Sequence, residues 1–412
     1  MLCTYHVKNF ASFYDRAEFS MLAPNTKVRN RFPDNYTETP CNMDLVKTAV
    51  IVGENAGGKS NFITSLKYLK LLFFDTQNKT VLRQFINYNN LTNKDIDKCD
   101  SKQEYYLEVV IDNLIYCYTL KIDYYGVVEE SLFTKQKRHN IGNEIFSSTR
   151  TDINRTKIEN KTKISLSYEF NVPGMPIIEN SIIETNKQSK TLFGLYITKL
   201  AILGYDYAAN FVNWVNNTLF AETVNLNYCI YKDFQREEDD LRILHDEKFI
   251  DILRMVDYSI TSINVDDKKP FSETLIVRRS KDGKELKEEL AQDSSGVSEF
   301  FAWAVQIFRV VYENKVVFAD EMDRVLNPIL SERIVSFINS IDHQGQFIFS
   351  THNVLHLNLK NYMKEQIYFV TKDRNTLNSE MYSLADFTQV RYETSKIYEF
   401  YMKGILGGTA FE

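Results

Sequence analysis

Two rhythms of apolar and polar positions run along the chain. Short β-branched runs bounded by glycine or acids read as buried strands, and runs with apolar residues three and four apart read as helices. VKTAVIVG (46–53) is such a strand, and SNFITSLKYLKLLFF (60–74) puts Phe62, Leu66, Leu69 and Phe73 on one helical side. Residues 2–23 read as two strands about a turn, and the polar, proline-bearing 25–42 as a loop. Alternation over 104–135, broken at Asp112-Asn113 and Tyr125-Gly126, predicts antiparallel strands. The segment 136–166 is polar and basic with few large apolar residues, which predicts a mobile hairpin or loop.

Helical spacing returns in 190–220 and 241–257, with Leu192, Leu195, Ile202, Phe211, Trp214 and Leu219 as candidate core. Strands and then the charged KDGKELKEEL follow in 259–290, and a helix over 296–312. From there strand and helix alternate: KVVFADE, LSERIVSFINSI, QFIFSTH, IYFVTK. Such alternation implies a parallel sheet flanked by helices. The pattern shows no heptad run long enough for a coiled coil and no internal repeat.

Charge and composition narrow the class. A net charge of −6 over 412 residues, without a basic tail, argues against a general nucleic-acid coat. The one basic cluster is Lys135, Lys137, Arg138, Arg150, Arg155, Lys157, Lys161 and Lys163, either a solvated loop or a contact for nucleic acid or an acidic partner. Neither a signal peptide nor an apolar run of the roughly 20 residues a membrane helix needs is visible, so a cytoplasmic protein is expected. Cys3, Cys41, Cys99, Cys117 and Cys229 form no CxxC and read as free thiols.

The chemistry concentrates in four places. Gly53-Glu54-Asn55-Ala56-Gly57-Gly58-Lys59-Ser60 fits GxxxxGK[ST] between a strand and a helix that continues with Asn61. In that motif glycines let backbone N–H groups face phosphate oxygens, Lys59 reaches the β- and γ-phosphates of ATP, and Ser60 ligates Mg²⁺. Val316–Glu321 is an apolar strand ending in two acids; beside a P-loop, Asp320 would hold Mg²⁺ and Glu321 would polarise the attacking water. Ser294-Ser295-Gly296 precedes a helix, as either a plain N-cap or an anion site for a γ-phosphate. Gln346–His352 ends in Thr-His, making His352 a candidate γ-phosphate sensor. His352 and His356 lie four apart, but Asn353 stands where the zincin pattern needs Glu, so His356 is read as packing.

Taken in order, the strand with Val7-Lys8-Asn9-Phe10 and Ser12-Phe13, the P-loop, a long insertion, Ser-Ser-Gly, Asp-Glu-Met-Asp and Ser-Thr-His resemble the ABC-type ATPase heads of the SMC, RecF and OLD group. More closely, the chain resembles stand-alone bacterial AAA15/AAA21 ATPases of the RloA and abortive-infection AbiL type. The tail carries that closer likeness, with IYFVTKD, MYSLADF, Tyr401-Met402-Lys403-Gly404 and Gly407. There are departures: Gly57 replaces a serine frequent in family P-loops, and Asn327 stands before Pro328 where a histidine is usual. Gln84 is only a candidate for the Q-loop.

The resemblance implies an α/β fold: an ABC-type head with a mixed sheet, flanking helices and an antiparallel β-subdomain. Residues 1–75 would carry the P-loop, 76–285 an inserted β and helical lid in place of a coiled coil, and 286–412 the remaining motifs. It also implies a homodimer or larger homo-oligomer that shares ATP sites. Ser294, Ser295 and Gly296 of one copy would cap ATP held by Gly58, Lys59 and Ser60 of another, with Asp323 linking the two sites. Glu321 and His352 would drive hydrolysis. The role implied is a sensor or regulator in anti-phage defence acting on a separate effector, a nuclease or toxin. Too few residues follow His352 for the TOPRIM nuclease of OLD proteins. The alternatives are a RecF-like DNA-binding repair ATPase and a non-hydrolysing scaffold.

Overall fold

The computed structural model describes residues 1–74, 87, 102–123, 125–158, 161–174, 194–235, 237–392 and 396–407. Two sheets face each other across one helix. The first strands are β1 (Leu2–Lys8), β2 (Ala17–Ser20), β3 (Tyr36–Glu38), β4 (Asp44–Val46) and β5 (Thr48–Gly53). Helix α1 (Lys59–Phe74) follows. An antiparallel run then comprises β6 (Gln103–Ile111), β7 (Leu114–Asp123), β8 (Gly126–Lys135), β9 (Asn143–Ile158) and β10 (Lys161–Asn171). These strands join β1 and β2 in one seven-stranded sheet, ordered β10-β9-β8-β7-β6-β1-β2.

The middle of the chain adds helices α2 (Tyr196–Ile202) and α3 (Asp206–Asn217), strand β11 (Leu219–Thr223), and helices α4 (Leu226–Phe234), α5 (Glu238–Leu244) and α6 (Glu247–Leu253). A three-stranded sheet of β12 (Ile260–Asn264), β13 (Leu275–Arg279) and β14 (Glu285–Glu289) leads into α7 (Ser295–Glu313). Then come β15 (Val316–Asp320), α8 (Pro328–Ser340), β16 (Gln346–Thr351), β17 (Ile367–Lys372), β18 (Ser379–Ser383) and α9 (Ile397–Met402).

The second large sheet is ordered β11-β15-β16-β5-β17-β18, parallel except for β18. Its central strands are buried on both faces, which is why they read as continuous apolar runs. The pleat sends neighbours to opposite cores. Ala49, Ile51, Phe318 and Ile348 enter the core shared with α1 and the antiparallel sheet. Val50, Val52, Val317, Ala319, Phe347 and Phe349 enter the core built with α7.

α1 is buried on more than the one side its spacing predicts, including Ile63, Ser65 and Tyr68. The reason is its place between two sheets: Phe62 meets Tyr5 with ring centroids 5.6 Å apart and Phe318 at 6.4 Å, and Phe73 meets Tyr118 at 5.4 Å.

The segment 136–166, expected as a mobile hairpin or loop, is a hairpin that contains most of two long paired strands, β9 and β10. β9 pairs with β8 only as far as Thr149, and beyond it the partner is β10 alone. A ribbon that leaves the core needs few large apolar residues, so its sequence looks like a loop. The expected loop at 25–42 contains a helical turn at Thr26–Arg29 and β3, which pairs with β4. The basic cluster is split: Lys135 reaches Glu108 at 3.7 Å, and Arg150 binds both carboxylate oxygens of Asp123. Within the segment expected to be an insertion, β11 lines up beside β15 as the edge of the parallel sheet. The four described cysteines are free and buried, and Gln84 and Cys99 lie outside the described residues.

Glu130, fully buried on β8, ties the sheet to α2. It accepts from the Tyr196 and Ile197 N–H groups at 2.7 and 3.1 Å and from the Tyr118 hydroxyl at 2.9 Å. Burial outweighs these donors and pushes its pKa up to about 7 from an ordinary 4.5. The folded chain therefore keeps this proton to higher pH than the unfolded chain. That contribution is complete below about pH 4.5 and is lost as pH rises through 7, a change on the order of 3 kcal/mol. Thermal melts should show wild type losing stability across this window relative to Glu130→Gln, which cannot titrate. Parallel pH profiles for the two proteins would reject this account.

Candidate functional site

The carboxyl ends of β5, β15 and β16 lie side by side, and the loops leaving them build one site. In open parallel sheets ligands bind outside the carboxyl ends of the strands. β5 runs into the glycine loop. A Cβ on Gly53 would overlap the carbonyl oxygen of Val370, so β17 presses directly on the loop's first residue. Gly58 has φ +123°, and a Cβ there would collide with the Ser379 hydroxyl. The loop is held from outside as well: Ser379 donates to the Gly57 carbonyl, the Lys372 N–H donates to Glu54 at 3.2 Å, and Asn61 donates to Ser12 at 2.8 Å.

The Lys59 ammonium folds back into this loop, donating to the Gly53 and Glu54 carbonyls at 2.8 and 3.0 Å. Burial lowers its pKa to about 8, although Glu321, Asp320 and Glu54 pull the other way. The cation is thus held inside the loop. A phosphate would meet it at short range.

Opposite, Asp320 Oδ1 accepts from Ser60 at 3.2 Å and from Ser350 at 2.7 Å. Glu321 follows with φ 52°, in the left-handed region, and its N–H donates to the Ser350 hydroxyl at 2.8 Å. Thr351 donates to Asp323 at 2.6 Å, and burial raises the Asp323 pKa. His352 is depressed by burial and by the positive charge of Lys59, so near neutral pH its ring is uncharged. A neutral imidazole can donate one N–H to an anion without adding charge. His356 has a different place. It is fully buried, bonded to Tyr362 at 2.7 Å and Ser331 at 3.0 Å, with its pKa lowered to about 4. Its packing role in the sequence reading fits this position.

Two adjoining cavities result. One, of about 300 Å³, is lined by Ser12, residues 54–61, Glu321, His352 and Lys372. The other, of about 260 Å³, shares Asn55, Glu321 and His352 and adds Asp323, Arg324 and Asn353. The P-loop residues, both acids, Asp323 and His352 are therefore brought together. Ser294, Ser295 and Gly296 are not: none of the three lines either cavity. Ser294 caps α7 by accepting from the Val297 N–H at 3.3 Å, and Ser294 and Ser295 are exposed. Arg324 bonds to Glu299 at 2.7 Å, which joins the turn after Asp323 to the first turns of α7.

The donor set fits Mg²⁺ with nucleotide. No group of three or more His, Cys, Asp or Glu able to hold a metal occurs among the described residues. Mg²⁺ needs none, because it keeps waters and takes phosphate oxygens alongside one or two protein ligands. Ser60 and Asp320, bonded to each other at 3.2 Å, would supply those two.

Sequence reading did not assign site roles to Ser350, Ser12, Lys372 or Ser379. Ser350 directly precedes Thr351-His352, and Ser12 sits in the N-terminal strand motif, so both had a signal. Lys372 and Ser379 had none; only the register of β17 and β18 brings them to the loop.

The profile of the AAA_21 family, described as "AAA domain, putative AbiEii toxin, Type IV TA system", matches residues 49–358. No curated protein matches the chain. Among solved structures it is similar to an SMC head domain from Thermotoga maritima, at 12% identity over 93% of this chain and 98% of that one, with a TM-score of 0.41. It is also similar to an Smc head domain with an extended coiled coil bound to the C-terminal domain of ScpA, derived from Pyrococcus furiosus. There the identity is 10% over 93% and 96% of the two chains, with a TM-score of 0.40.

Because β17 leaves no room for a Cβ, Gly53→Ala should displace the loop. The expected result is a stability loss of about 2 kcal/mol or more in denaturant melts, with weakened nucleotide binding in a fluorescent-nucleotide titration. Unchanged stability and affinity would show that the contact with Val370 yields.

Proposed function

The chain belongs to the AAA_21 family of AAA-domain ATPases, and on that premise we propose that it binds ATP with Mg²⁺, hydrolyses it, and uses the cycle to close two copies of itself. One observation carries the reading: Lys59, Ser60, Asp320, Glu321 and His352 converge at the ends of three parallel strands.

The roles follow from position. The loop 53–60 offers N–H groups to the phosphates, and Lys59 adds a cation already inside the loop. Ser60 and Asp320 hold Mg²⁺, which when bound neutralises phosphate charge. Glu321 lines the same cavity and polarises the attacking water. His352, neutral and on the cavity wall, donates to the γ-phosphate. Asp323, held by Thr351, faces the adjoining cavity and links the site to a second copy.

Closure of two copies is supported by what one copy lacks at its cavity. The Ser294-Ser295-Gly296 start of α7, with both serines exposed, lies outside both cavities of its own chain, and in ABC-type heads this element caps the partner's nucleotide. The Arg324–Glu299 bond would let the turn after Asp323 and α7 respond together. A cytoplasmic regulator of a separate toxic effector in anti-phage defence is the role this device suits, and the family's description names a toxin system.

Three variants test the steps separately. Lys59→Ala should abolish ATP binding, and retained binding would remove the P-loop assignment. Glu321→Gln should lower turnover about a hundredfold or more while ATP remains bound. Light scattering on that variant should give at least twice the monomer mass with ATP and Mg²⁺, whereas a monomer under both conditions would exclude the two-copy mechanism. Ser295→Arg should bind ATP as wild type does yet fail to dimerise, and an unaltered ATP-bound dimer would take the capping role from α7.

A further inference from the structure

A serine hydroxyl has one proton to give and lone pairs to receive. The hydroxyl of Ser350, fully buried at the end of β16, uses both on neighbouring residues of β15 and the turn after it. It donates to Asp320 Oδ1 at 2.7 Å and accepts the Glu321 N–H at 2.8 Å. The parallel register that pairs Ala319 with Phe349 carries Asp320 and Ser350 alongside each other. One atom therefore contacts two of the site's acids, the carboxylate of Asp320 and the backbone of Glu321.

Each contact constrains something the site needs. Asp320 Oδ1 is shared by the Ser60 and Ser350 hydroxyls, so the carboxylate plane is fixed from two sides. The Ser60 bond must change if Ser60 takes a metal; the Ser350 bond need not. Glu321 adopts φ 52°, a strained left-handed backbone that a non-glycine residue keeps only where its surroundings hold it there. Its N–H bond to Ser350 supplies that enforcement. The next residue repeats the device, since Thr351 donates to Asp323 and accepts the Asn353 N–H at 2.7 Å. Consecutive hydroxyls of β16 thus hold all three acids of the site.

We propose that Ser350 is a positioning residue for metal and water: it sets the Asp320 carboxylate for Mg²⁺ and the turn that aims Glu321. The proposal rests on the nucleotide site described above. It assigns Ser350 no contact with substrate. It predicts that metal affinity and turnover fall together when the hydroxyl is lost, while nucleotide affinity without metal does not.

Thr and Val are close in shape and differ in the hydroxyl, so Ser350→Thr and Ser350→Val separate hydrogen bonding from packing. Mn²⁺ binding to the protein with a non-hydrolysable ATP analogue is read by electron paramagnetic resonance. Steady-state turnover is read against Mg²⁺ concentration. In Ser350→Val, Mn²⁺ affinity should fall about 10- to 100-fold, the range for loss of an outer-shell partner, and kcat should fall at least tenfold. Fluorescent ATP binding without metal should stay within about twofold, and Ser350→Thr should recover both losses. If Val unfolds the chain, Ser350→Ala takes its place with the same expectation. Equal metal affinity and kcat in the hydroxyl-bearing and hydroxyl-free variants would overturn the proposal. Lys59→Ala in the same titrations keeps the two failures apart: if it retains nucleotide, the site itself is misassigned; if it does not, the result speaks to Ser350 alone.

Discussion

The parallel pairing of β15, β16 and β5 is the constraint on which everything at the site depends. Its register sets Asp320 beside Ser350 and brings the end of β5 alongside Thr351. Because the strands run the same way, their three outgoing loops leave from one edge. No single loop holds a complete set of ligands. Lys59 and Ser60 come from the first turn of α1, the two acids from the end of β15, and the histidine from the end of β16.

Low dielectric surroundings then give those residues their character. Lys59 is a cation held by carbonyl groups, depressed to about 8 by burial and partly restored by three carboxylates. His352 loses its charge for two reasons, burial and the nearness of that same lysine. One basic group remains charged and the other stays neutral within a single cavity. Two cations beside an incoming polyphosphate would bind it more tightly. One cation and one neutral donor leave room for binding to strengthen as charge develops during the reaction.

Much of this was legible in the sequence because buried parallel strands leave a strong mark. VKTAVIVG, KVVFADE and QFIFSTH are largely apolar runs, and each ends at residues of the candidate site. The ribbon of β9 and β10 could be read only as a hairpin or a loop, for the opposite reason. A pair of strands stabilised mainly by its own backbone bonds shows neither long apolar runs nor clean alternation. The helical side of α1 was underestimated because periodicity reports one buried stripe, and a helix between two sheets has more. The roles of Lys372 and Ser379 come from pairing between residues far apart in the chain, which no local pattern records. Ser350 was hidden in plain view, since a serine at a strand end looks like any other buried hydroxyl until its two partners are known.

Sheet order also dictates when the nucleotide edge comes into being. β5 is made early, but both of its neighbours, β16 and β17, are made late, from residues 346–351 and 367–372. Even Leu2 must wait for the side chain of Gln346, with which its N–H and carbonyl bond. Contacts so distant in sequence slow folding, because loop closure is costly before pairing offsets it. On the ribosome, the strand that leads into the P-loop emerges long before it has a sheet to join. A chain whose synthesis stops short of residue 346 would have its glycine loop but no β16 beside it, and so none of the Ser350 bonds to Asp320 and Glu321.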